Sequence, residues 1–157
     1  MMQRTPQTDA YWAAYRDAAG LAHDHHVVTS IGDSPEMATE LIDLMLAGTK
    51  RATASLARDY EGEEPLPKVG DFVVVVDGAG TPRCIWRTTE ITVKPLIEVD
   101  DAFAWDEGEG DRSRAFWLDV HRTFFAGEAA RGGFTMHDRI ETVFERFALV
   151  WPAEAAD

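Results

Sequence analysis

The run Phe72-Val73-Val74-Val75-Val76, entered through Lys68-Val69-Gly70-Asp71 and left through Asp77-Gly78-Ala79-Gly80, decides the fold. β-Branched side chains fit a pleated strand, and a run without polar alternation suits a strand covered on both faces or closed into a barrel. The Asp-Gly step at its exit is a hairpin signal. The chain therefore returns as a second strand from about Pro82 to Val93, with Cys84, Trp86 and Thr88 alternating along it.

Upstream, the sequence predicts a helix. Ser34 can cap its N-terminus, and Pro35 suits the first helical position. Met37, Leu41, Leu44 and Met45 follow at i, i+4, i+7 and i+8 as a buried stripe. Gly48 is a left-handed stop, which leaves Thr49, Lys50 and Thr53 on a rigidly anchored loop. The first thirty residues read as a helical extension docked through Tyr11, Trp12 and Tyr15. His25 and His26 beside Asp24 lack the spacing of a metal site and read as solvated loop histidines.

Downstream, Asp111 or Ser113 can cap a second helix carrying Phe116, Trp117, Val120 and Phe124, and Gly132-Gly133 breaks it. A last strand from Glu141 to Trp151 sets Val143, Phe147, Leu149 and Trp151 against Glu145. The expected architecture is α+β, a small, partly closed β-barrel with helices packed at its side. Its expected divisions are an extension over 1–30, a domain over 31–151 and a tail over 152–157.

A chain of 157 residues that is 45% hydrophobic fits one domain with a real core. No apolar run approaches the roughly 18 residues of a membrane span, and Met1-Met2-Gln3-Arg4 does not open a signal peptide. Cys84 is the single cysteine and has no internal partner, so a cytoplasmic location is expected. The net charge of −13 argues against a general grip on long polyanions and leaves a neutral nucleoside unpenalised. A Gly-rich phosphate loop, Gly-x-Ser-x-Gly and Cys-x-x-Cys are all missing from the sequence.

Two segments carry candidate chemistry. Lys50 and Thr53 lie three apart. A threonine hydroxyl becomes nucleophilic when a base takes its proton, and a lysine is such a base only if burial or a cation such as Arg51 lowers its pKa. The plain alternative is a lysine balancing a helix C-terminus. Asp106-Glu107-Gly108-Glu109-Gly110-Asp111 interleaves four carboxylates with two glycines, which suggests a flexible loop of strong negative potential. Such a loop can orient Lys50, accept hydrogen bonds from a substrate, hold a divalent cation, or simply cap the next helix through Asp111. His121, four residues after Trp117, reads as a packed core histidine. Trp86 and Trp117 can stack a base or fill the core, and Cys84 reads as buried and inert.

Taken together, Ile31-Gly32-Asp33-Ser34-Pro35-Glu36, Ala47-Gly48-Thr49-Lys50-Arg51-Ala52-Thr53, Leu66-Pro67-Lys68-Val69-Gly70-Asp71, Trp86-Arg87-Thr88-Thr89-Glu90 and Glu107-Gly108-Glu109-Gly110-Asp111 with Trp117, His121, Phe124 and Phe125 resemble the ASCH domain family of the PUA-like superfamily. The resemblance implies a PUA-type barrel with flanking α-helices and a cleft beside it. In the family's small amidohydrolases, which act on N4-acylated cytidine, the catalytic lysine and threonine match Lys50 and Thr53. The catalytic glutamate matches Glu107 through the Ala104-x-x-Glu107 spacing, with Glu109 as the other candidate. Thr53 is then the nucleophile, Lys50 its base and Glu107 the group that holds Lys50. Arg51, Glu109, Trp86, Arg87 and Trp117 are the expected substrate contacts, and neither metal nor cofactor is called for. The other activity the resemblance implies is an RNA-binding module or metal-dependent ribonuclease, with Lys50, Arg51, Arg58 and Arg87 on phosphates and the acidic loop on a metal. A nucleotide-sensing domain without catalysis is a third.

Overall fold

The computed structural model describes residues 2–157. Five strands form one mixed sheet curved into a half-barrel, with four α-helices around it among the described residues. In chain order the elements are α1 (Pro6–Ala19), β1 (Val27–Ser30), α2 (Pro35–Leu46), β2 (Ala52–Leu56), β3 (Phe72–Val76), β4 (Pro82–Pro95), α3 (Asp101–Glu107), α4 (Arg114–Gly132) and β5 (Glu141–Trp151). The strand order across the sheet is β1-β3-β4-β5-β2. Only β1 runs parallel to its neighbour; the other three pairings are antiparallel.

The valine run of β3 is buried along its whole length. Phe72, Val74 and Val76 pack with Trp12 of α1 and Ile85, while Val73 and Val75 pack with Ile42 and Met45 of α2 and with Trp86. That double cover explains the missing polar alternation. A third cluster joins α3 and α4 to β2 and β5 through Phe103, Trp117, Phe125, Leu56 and Phe144.

Several local expectations need correction. The segment over 1–30 is not helical throughout: the β-branched Val27-Val28-Thr29 forms β1 and pairs with Val73, Val74 and Val75 of β3. His26 is not solvated. Its side chain is buried and stacked on Trp12, with ring centroids 4.6 Å apart. Asp24 is tied down by the Trp12 Nε1–H at 2.9 Å and by Arg4 and Arg16. Glu145 shares its parity with Val143 and Phe147, so it points inward with them and is 5% exposed. The acidic segment is not one flexible loop either. Asp100 caps α3 through the Phe103 N–H, and the helix runs to Glu107 before Gly108 ends it in a left-handed turn.

Candidate active site

A cleft of about 640 Å³ opens between the sheet and the helices around it. Its walls come from β1, α2, β2, the Glu107–Glu109 segment and α4, and Trp86 and Glu145 line it from the sheet.

Lys50 reaches the cleft because of how α2 ends. Gly48 takes φ +87°, and the N–H groups of Thr49 and Lys50 both donate to the Leu44 carbonyl at 2.9 and 3.1 Å. This wraps the chain round the helix end and turns Lys50 inward, where it is 2% exposed. The Arg51 N–H then donates to the Asp106 carbonyl at 2.7 Å, joining this loop to α3. Gly108 completes the contact: a Cβ there would lie 2.6 Å from the Thr49 carbonyl oxygen. On α3, Phe103, Ala104 and Glu107 share the buried face at i, i+1 and i+4.

Lys50 Nζ donates to a Glu107 carboxylate oxygen and to the Ala52 carbonyl, the latter at 2.7 Å. Glu107 is 1% exposed, and its second oxygen lies 3.5 Å from His121 Nε2. Burial pushes the Glu107 carboxyl up, but the attraction of Lys50 overrides it and holds the group well below the usual carboxylate range. Glu109 Oε2 is 3.7 Å from Lys50. Its carboxyl moves the other way: burial raises it, Lys50 opposes, and the negative Glu107 adds to the rise. Two carboxylates two residues apart are thus driven in opposite directions, a pattern common where acid and base roles are divided.

Thr53 lies in β2 opposite Glu145 of β5 and lines the same cleft. No hydrogen bond engages its hydroxyl among the described residues. Glu145 accepts from Trp86 Nε1 at 3.1 Å and from the Thr88 hydroxyl at 2.6 Å. Burial raises its carboxyl against the pull of those two bonds. Trp86 lines the cleft and stacks on Phe147 with centroids 4.4 Å apart.

The other expected contacts lie elsewhere. Arg51 donates to Asp157 at 2.8 Å and to the carbonyls of Met45 and Lys50, so it fastens the 152–157 segment and does not line the cleft. Arg87 is exposed beside Phe72, away from the cleft. Trp117 is buried behind the wall, stacked on His121 with centroids 3.8 Å apart. Arg58 lies over the Phe134 ring, 3.6 Å from its centroid. Sequence reasoning missed Glu145 and His121 as cleft residues. For Glu145, its parity with Val143 and Phe147 was the available signal.

The lining is strongly acidic. Asp33, Asp71, Glu107, Glu109, Asp119 and Glu145 contribute to it, against Lys50 and Arg131.

No helix among the described residues is long and apolar enough to cross a membrane. The family model of the ASCH domain matches residues 27–151, from the first residue of β1 to the last of β5. The solved ASCH domain from Lactobacillus crispatus JV V101 is 28% identical with a TM-score of 0.87, over 96% of this chain and 98% of that one. Protein EF3133 from Enterococcus faecalis V583 is 31% identical with a TM-score of 0.81, over 90% and 86%. The hypothetical protein PH0355, 17% identical with a TM-score of 0.54 over 80% and 99%, shares the fold alone. No curated protein matches the sequence. A PUA-like half-barrel with this sequence match places the chain in the ASCH domain family.

Proposed function

We propose that this protein is an amidohydrolase that removes an N4-acyl group from a modified cytidine nucleoside. The observation that carries the reading is the buried Lys50–Glu107 pair on the same cleft as the unengaged Thr53 hydroxyl. Lys50 is anchored on the carbonyl of Ala52, the residue before Thr53, which keeps its amine next to the nucleophile's strand.

Thr53 Oγ1 attacks the acyl carbon as the Lys50 ammonium gives one proton to the leaving exocyclic nitrogen and takes the Thr53 hydroxyl proton in its place, so the C–N bond breaks and Lys50 keeps its charge beside Glu107. Water then cleaves the Thr53 ester, releasing the acid and restoring the hydroxyl. Glu107 holds Lys50, while Glu109 and Trp86 are the cleft groups that contact substrate.

The acidic lining supports a neutral small substrate over an RNA chain, because phosphates entering here would meet like charge. The dispersal of Arg51, Arg58 and Arg87 also counts against an RNA-binding face.

Turnover of N4-acetylcytidine tests the proposal. Wild type and Thr53→Ser are expected to release cytidine, and Thr53→Val and Lys50→Met are expected to lose turnover. An inactive wild type, or full activity in Lys50→Met, overturns it.

A further inference from the structure

One oxygen of the buried Glu107 has no hydrogen-bond partner. Oε2 accepts from Lys50, but Oε1 makes no hydrogen bond among the described residues, in a residue only 1% exposed. It faces His121 Nε2 at 3.5 Å.

The tautomer of His121 makes this contact informative. Its Nδ1 lies 2.8 Å from the Trp117 carbonyl oxygen, which can only accept, so Nδ1 carries a proton. In the neutral ring Nε2 then aims a lone pair at the carboxylate. Two lone pairs facing each other inside a protein repel unless a proton or a cation lies between them. Glu109 closes the third side: one oxygen from each glutamate and a His121 nitrogen all lie within 4.8 Å of one another.

We propose that Glu107, Glu109 and His121 form a binding site for a divalent transition cation in the wall of the cleft. The 3.5 Å separation of Glu107 Oε1 and His121 Nε2 suits two ligands of one ion. Ligands about 2.0–2.1 Å from a tetrahedral centre stand roughly 3.3 Å apart. One imidazole nitrogen and two carboxylate oxygens suit Zn²⁺ or Mn²⁺ better than Ca²⁺ or Mg²⁺, which take oxygen shells.

The surroundings of the ring also fit. A ligating histidine needs its other N–H held so that the ring cannot turn, and here the Trp117 carbonyl holds it while the Trp117 indole stacks on its face. Lys50 uses Oε2 and leaves Oε1 to the cation. The excess of carboxylates on the lining draws cations in. The inference shares Glu107 and Glu109 with the amidohydrolase reading but does not rest on it, because cation binding is read without Thr53 or a substrate.

The test is calorimetric titration of the chelator-stripped full chain with ZnCl₂ and, separately, MnCl₂. One cation per chain is expected. Binding should weaken about tenfold or more in Glu109→Gln and in His121→Phe, which keeps an aromatic ring against Trp117. Glu109 is partly exposed, so its variant is expected to fold, and circular dichroism of both variants checks this. Substitution of His23 and His25 should leave this binding unchanged. Failure of the wild type to bind either cation overturns the proposal. So does undiminished binding in both Glu109→Gln and His121→Phe. A metal-free His121 carrying both ring protons by nitrogen NMR, with neither cation bound, overturns it in favour of a simple imidazolium contact.

Discussion

Lys50 donates to the Glu107 carboxylate across 57 residues of chain, and the two side chains are sealed at 2% and 1% exposure. Removing one partner leaves the other as an unpaired buried charge, so Lys50→Met or Glu107→Gln should each cost about 3–5 kcal/mol. Joint replacement by Lys50→Met and Glu107→Leu should cost less than the sum. Urea unfolding of the three variants gives the coupling directly.

Glu145 should make stability depend on pH in the sense opposite to Glu107. Its folded-state carboxyl is raised, so the folded chain holds that proton more tightly than the unfolded one. Stability is therefore lost as pH rises through the raised range and regained below the unfolded value of about 4.3. Glu145→Gln keeps an oxygen for Trp86 Nε1 and Thr88 while removing the titration. Its urea midpoint should exceed that of wild type at pH 8, with the gap closing as pH falls through about 4. The depressed Glu107 contributes stability above its unfolded value and gives it up only as pH falls through its low folded one.

Gly108 and Gly133 both end helices in the left-handed region, at φ +78° and +72°. A Cβ at Gly133 meets nothing within 4 Å, whereas one at Gly108 strikes the Thr49 carbonyl. Gly133→Ala should cost only the conformational strain, about 1–3 kcal/mol. Gly108→Ala should cost more and also displace the Lys50 loop, lowering turnover where Gly133→Ala does not. Paired thermal melts and rates separate the two effects.

Arg51 acts as a fastener through Asp157, Met45 and Lys50. Arg51→Gln should reduce stability by about 1–2 kcal/mol while leaving KM for the nucleoside unchanged. A raised KM at unchanged stability would restore the arginine to the substrate.

The parts of the molecule governed by periodicity were legible in the sequence. The valine run became β3, the stripe from Met37 to Met45 became the inner face of α2, and the helix stop before Lys50 turned that residue to the cleft. What local pattern could not show was burial decided by a distant partner. Glu107 looked like part of a solvated loop because Lys50 and His121, which hold it inside, lie outside its own segment. Arg51 looked like a substrate contact because its carboxylate partner, Asp157, lies 106 residues away. β1 escaped notice because four residues beside three histidines carry little strand signal until β3 supplies the register.

The sheet order has a consequence for the chain as it is made. β2, which carries Thr53, pairs only with β5, the last strand to be synthesised. β1, β3 and β4 can associate soon after they leave the ribosome, while the strand bearing the nucleophile waits for Glu141–Trp151. A nascent chain halted before residue 141 would therefore hold Thr53 in its covalent sequence and have no strand against which to set it.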